Sequence, residues 1–180
     1  MKSLLLLLAL ALGISNTNAQ TSHNQCDTIK GKLASYYRIE FIPKIMVKVQ
    51  NIQNKDTLSE MYYDNGKIVS PDLWLNSEYN FDYDDYIQTF KDIFTTQELQ
   101  QLKNMNGTFV TNVVADKSGN ALEVYFVFSK KNSILMKLDP DRFFQLETKL
   151  KKLLKLKIQG DDLKIRNVKY MAVITFKQDL

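Results

Sequence analysis

The densest set of side chains able to do chemistry lies between Trp74 and Tyr86. There Trp74, Tyr79, Phe81, Tyr83 and Tyr86 are interleaved with Glu78, Asp82, Asp84 and Asp85. Aromatic rings stack on the apolar faces of sugars and attract cations, and carboxylates accept hydrogen bonds. Trp74, Tyr79, Tyr83 and Tyr86 are therefore the candidate ligand-binding residues, for a glycan-type ligand. The simpler reading is structural. Asp82 stands where a helix N-cap would, Asp84 and Asp85 would complement the dipole of the first turn, and the rings would then be core.

Other constellations carry less. His23, the only histidine, precedes Cys26, the only cysteine, by three residues. A nucleophilic Cys-His pair needs a scaffold that holds the thiolate beside the imidazole, and the polar stretch from Gln20 to Lys32 offers none. The polar residues His23, Asn24 and Gln25 also argue against a lipid-attachment site at Cys26. Asp116 to Asn120 clusters oxygens as a calcium loop does, but lacks the further acidic ligands and the closing Glu, so it reads as a turn. Adjacent carboxylates such as Asp161 and Asp162 diverge unless a turn folds them together. No Gly-x-Ser-x-Gly elbow, His-rich metal set or phosphate loop is present. No catalytic, metal-binding or cofactor-binding residue is assigned.

Composition narrows the class. The N-terminus, MKSLLLLLALALGISNTNAQ, has a lysine, an apolar run from Leu4 to Ile14 and a polar end at Ala19. This is the layout of a secretory signal peptide over residues 1–19, cleaved between Ala19 and Gln20. The run is shorter than the roughly 20 residues a membrane-spanning helix needs. The mature chain is thus expected to be soluble and without a transmembrane segment, in the periplasm or outside the cell. A lone cysteine forms no internal disulfide, so stability must come from the core. The formal charge of +4 falls to about +3 with the loss of Lys2, too little to imply nucleic acid.

The elements that would position these residues follow from periodicity. Residues 20–32 read as a flexible lead-in, and residues 33–180 as one α+β domain: an antiparallel sheet with helices packed on one face. Its first part, 33–106, begins with YYRIEFIPKIMVKV, which alternates Tyr37, Ile39 and Phe41, then Ile45, Val47 and Val49 around Pro43, and reads as two short strands or one bent edge strand. Asn65-Gly66 signals a type I′ hairpin. A helix capped by Asp82 would bury Tyr86, Ile87, Phe90, Ile93 and Phe94. A second helix, with the Thr95/Glu98 capping box, would bury Leu99 and Leu102.

The second part, 107–180, is a β-β-α-β unit. Its hairpin turns at Asp116 to Asn120 and directs Leu122, Val124, Phe126 and Phe128 to one face. Asp139-Pro140 starts a helix with Phe143, Leu146, Leu150, Leu153 and Leu154 on one side and Lys149, Lys151, Lys152 and Lys155 on the other. A basic helix face can meet an anionic surface, but lysines near a helix C-terminus are equally expected of a solvated face. Val168, Tyr170, Ala172, Ile174 and Phe176 define the last strand.

The order of hairpin, Asp-Pro helix and final strand resembles the C-terminal domain of TonB-type proteins. The matching residues are Val110 to Ala115, Asp116, Gly119, Val124, the helix from Asp139 and the strand to Phe176. Those proteins keep a membrane anchor and a long proline-rich spacer, whereas this chain has three prolines in all, so energy transduction to outer-membrane receptors is not implied. The whole chain also resembles small secreted proteins of Gram-negative gut-type bacteria that carry a domain of unknown function.

Three functions stand side by side. The first is a non-enzymatic interaction module that meets another envelope protein through an exposed sheet edge, either near Pro43 or in the C-terminal unit. The second is a small-ligand binder using Trp74 and the tyrosines at 79 to 86. The third, a hydrolase drawing on two carboxylates, has the least behind it.

Overall fold

The computed structural model describes residues 26–41, 45–55, 60–70 and 72–180. The signal segment 1–19, the Ala19-Gln20 junction, His23 and Pro43 lie outside the described residues. In chain order the elements are β1 (Cys26–Lys30), β2 (Ser35–Phe41), β3 (Met46–Asn51), β4 (Glu78–Tyr79), α1 (Tyr83–Lys91), α2 (Thr96–Asn104), β5 (Thr108–Ala115), β6 (Ala121–Ser129), α3 (Ser133–Met136), α4 (Pro140–Leu153), β7 (Leu156–Lys157), β8 (Val168–Thr175) and α5 (Phe176–Asp179).

The fold is α+β. A six-stranded antiparallel sheet has the order β1-β2-β3-β6-β5-β8, and β4 pairs with β7 in a separate two-stranded ribbon. The N-terminal strands join the C-terminal unit through β3 and β6, with Val47 opposite Phe128 and Val49 opposite Phe126. One core serves both parts of the chain. It packs Phe126 and Phe128 of the sheet against Phe143 of α4, and Phe90 of α1 against Phe109 and Phe176.

The helix ends are fixed as the sequence expects. The Asp82 carboxylate accepts from Asp84 N–H and Asp85 N–H, and Thr95 and Glu98 cap each other. Asp139 caps α4, with Pro140 in its first turn. Within α4, Phe143, Leu146 and Leu150 are fully buried, and this apolar stripe is what holds the helix on the sheet.

Several expectations are corrected. Residues 26–30, read from composition as part of a flexible lead-in, form the outer strand β1, paired from Cys26–Ile39 to Lys30–Ser35. Ladder hydrogen bonds and the inward side chain of Ile29, which packs against the core, order this polar segment. In β2 the buried ring is Tyr36, and the alternating set Tyr37, Ile39 and Phe41 lies on the opposite face. The Asn65-Gly66 turn closes through Gly66 N–H to Tyr63 C=O and Tyr63 N–H to Lys67 C=O, with Gly66 at φ +81°. That is a three-residue loop with glycine in the left-handed position, not the two-residue turn that Asn-Gly suggests.

Leu122 does not share the face of Val124, Phe126 and Phe128. The ladder pairs Val114 with Glu123 and Ala115 with Ala121, so Leu122 is an extra residue in the strand and is 43% exposed. A bulge reverses the alternation beyond it. Phe176 is buried as expected but opens α5 instead of ending the strand.

Among the described residues no helix covers the other side of the sheet, although Gln50 and Val114 on it are buried. Ile39, Val110, Tyr125, Val127, Met171 and Val173 face that side in register, and none of them joins the core cluster or packs against it.

Candidate functional site

The candidate site forms where the segment entering α1 crosses the free edge of β8. Phe176 N–H bonds to Gly107 C=O, which sets the phase of the β5–β8 ladder. Residues 170, 172 and 174 then bond to β5, while 169, 171, 173 and 175 direct N–H and C=O away from the sheet. Unpaired groups on such an edge are a template for another strand.

Here the edge is occupied by this chain's own side chains. The Tyr79 hydroxyl donates to Met171 C=O at 2.7 Å, and the Tyr83 hydroxyl donates to Val173 C=O. Thr175 N–H donates to the Asp179 carboxylate at 2.6 Å, and Lys169 N–H meets Met61 Sδ at 3.3 Å. Asp179 is held there by α5, whose first residue is the buried Phe176. Burial and the nearby Asp179 charge raise the proton affinity of Tyr83, so it stays a donor across the physiological range.

Between these plugs lies an open cleft of about 360 Å³, lined by Tyr79, Phe81, Tyr83, Met171, Ala172 and Val173. Its rings are braced from behind. Tyr79 sits edge-on to Phe81 at 5.4 Å and beside Tyr170 at 5.8 Å, and Tyr83 lies 5.7 Å from Tyr86. Tyr79 is 60% exposed and Tyr83 45%. Both rings thus present fixed faces to solvent, a preorganised stacking surface.

Of the four sequence candidates, Tyr79 and Tyr83 meet at this cleft. Tyr86 does not reach it. It is fully buried, hydrogen-bonded to the Thr111 hydroxyl at 2.9 Å and to Ala172 C=O at 3.2 Å, and burial raises its proton affinity. Trp74 is 91% exposed and is not among the cleft's lining residues. Met171 and Val173 were not legible as site residues, because what places them is the ladder phase of an edge strand.

The remaining carboxylates have structural partners. Asp116 accepts from Ser118 N–H and Asn120 N–H, which is turn chemistry. Asp161 is exposed and pairs with Lys164, whereas Asp162 is buried and accepts from Ser77 N–H and the Ser77 hydroxyl, so the two adjacent side chains do diverge. Lys149 bonds to Asp92 and Lys151 to Glu147, so two lysines of the basic helix face are tied to carboxylates.

The two edges of the sheet differ. In the β1–β2 hairpin, Gly31 N–H bonds to Ala34 C=O, which puts Asp27 and Ile29 in the hydrogen-bonded pairs with β2. Cys26, Thr28 and Lys30 therefore direct their backbone groups outward. Among the described residues no side chain caps this edge as Tyr79, Tyr83 and Asp179 cap β8.

No family model matches this sequence, and no curated protein matches it. Among solved structures, a DUF5043 family protein from Bacteroides uniformis has a similar fold. The TM-score is 0.69 at 15% identity, over 87% of this chain and 89% of that one. The likeness shows a shared fold with a protein whose domain is of unknown function.

Proposed function

We propose that the chain is an exported, non-enzymatic interaction module whose β1 edge accepts a strand from another envelope protein. The observation that carries this reading is the unequal treatment of the two edges among the described residues: β8 is plugged at Met171, Val173 and Thr175, and no described side chain plugs β1. Export rests on residues 1–19 of the sequence, with the mature protein in the periplasm or beyond. The likeness of β5, β6, α4 and β8 to TonB C-terminal domains enters as a likeness of element order, without energy transduction. Capture of envelope proteins on the purified chain, compared with Thr28→Pro, tests the proposal. Proline at 28 removes an outward N–H and leaves the β1–β2 ladder intact. Loss of the captured partner supports β1 as the acceptor, and unchanged capture counts against it.

A second reading, a small-ligand site for a glycan-type molecule, is favoured by the cleft between the braced rings of Tyr79 and Tyr83. It uses neither Trp74 nor Tyr86. Titration with an oligosaccharide panel, following tyrosine fluorescence with Tyr79→Ala as the comparison, decides it.

A further inference from the structure

The side of the sheet away from the helices carries a half-buried apolar surface with a lysine set among its side chains. Lys48 projects from β3 between Ile39 and Val127, its Nζ 5.3 Å from the centre of the Tyr125 ring. Among the described residues no carboxylate pairs with it. On the same face Val114 lies between Glu123 and Lys169, and of these charges it is that of Lys169 that acts on Lys48. Burial and the Lys169 charge lower the proton affinity of Lys48 while Cys26 raises it, and the ammonium stands against the Tyr125 ring without a carboxylate partner.

Two residues along β3, Gln50 lies between Tyr37 and Tyr125 in register. It is almost wholly buried, and its Oε1 has no hydrogen-bond partner. A buried acceptor without a donor costs stability, as does a half-buried cation without an anion. Both groups lie on the face that, among the described residues, no helix covers.

We propose that this face docks an acidic segment of a partner protein, with a carboxylate over Lys48 and apolar side chains beside it on Tyr125, Val127 and Ile39. Charge complementarity selects the acid, and the registered apolar rows select its neighbours. A face built from side chains of adjacent strands suits a polypeptide segment better than an enclosed small molecule. The inference rests on the reading of the chain as an interaction module but not on the β1 edge. Lys48→Glu reads the face and Thr28→Pro reads the edge, so the two fail separately.

The test is panning of random phage-displayed peptides on the purified protein, then affinity measurements of the selected peptides on the parent, Lys48→Glu, Lys48→Gln and Tyr125→Ala. The expected result is enrichment of Asp and Glu flanked by Leu or Phe. Affinity should fall about tenfold or more in Lys48→Glu, less in Lys48→Gln, and with rising salt. Matching thermal melts of Lys48→Gln and the parent separate loss of binding from loss of fold. Selected peptides without acids, affinity unchanged in Lys48→Glu, or no enrichment at all would overturn the proposal. So would Lys48-dependent binding of phosphatidylglycerol vesicles in place of peptides.

Discussion

The Tyr79 hydroxyl closes on the Met171 carbonyl at 2.7 Å, across 92 positions of sequence. This contact turns what would be an open edge of the sheet into a plugged one, and Tyr83 repeats it at Val173.

Removing both hydroxyls should therefore reopen β8. Tyr79→Phe combined with Tyr83→Phe keeps the rings and their packing, at a cost of about 1 kcal/mol per lost hydrogen bond. The expected outcome is concentration-dependent self-association by sedimentation velocity, absent in the parent. A double variant as monodisperse as the parent would show that the hydroxyls do not guard the edge.

The ion pair between Glu98 and Arg142 joins the start of α2 to α4, with Nη2 2.7 Å from the carboxylate. The bond from Arg142, together with those from Thr95, holds the Glu98 carboxyl well below its ordinary value, at about 2. A carboxylate depressed on folding contributes stability that is fully present above its unfolded value, near 4.5, and is lost as pH falls toward 2. Acid unfolding of Glu98→Gln should be flatter through that window, with a loss of about 1–2 kcal/mol at neutral pH. Parallel melts at several acidic pH values measure it.

Gly119 is fixed by its surroundings as well as by its turn. Its φ is +80°, and a Cβ would stand 1.7 Å from Leu156 C=O, at the point where Leu156 N–H bonds to Gly119 C=O. Gly119→Ala should cost roughly 2–4 kcal/mol, read from the denaturant midpoint. Gly66 has a similar φ with open space around it, and its alanine variant should cost about 1 kcal/mol.

Glu147 is buried in α4 and accepts from the Tyr36 hydroxyl at 2.6 Å and from Asn51 Nδ2 at 3.1 Å, with Lys151 on its other oxygen. This network ties the helix to β2 and β3. Tyr36→Phe keeps the ring against Phe143 and removes one bond to a buried charge, so a loss of about 1.5–3 kcal/mol is expected by chemical denaturation.

What the sequence could reveal followed the range of each interaction. Local signals gave α1, α2 and α4 through Asp82, Thr95 and Asp139, and the alternation from Val168 to Ile174 gave the inward face of β8. Periodicity could not say which of Tyr36 and Tyr37 turns inward, because both are apolar enough and only pairing with β3 decides it. Leu122 fitted the alternation until a bulge removed it. β1 was hidden because its order comes from β2 and the core, not from its own polar residues. Glu147 carries no local sign of burial, because the Tyr36 and Asn51 side chains that hold it come from β2 and β3. The aromatic stretch was visible as a cluster. Its division into an exposed Trp74, a cleft-lining Tyr79 and Tyr83, and a buried Tyr86 depends on contacts with β5 and β8.

The central claim is that a partner strand adds to β1 and not to β8. Amide hydrogen exchange of the chain with its captured partner bound measures this most directly. The account predicts new protection at the outward amides of Cys26, Thr28 and Lys30, with Met171 and Val173 unchanged. Protection that appears along β8, or leaves β1 as exposed as before, would contradict it.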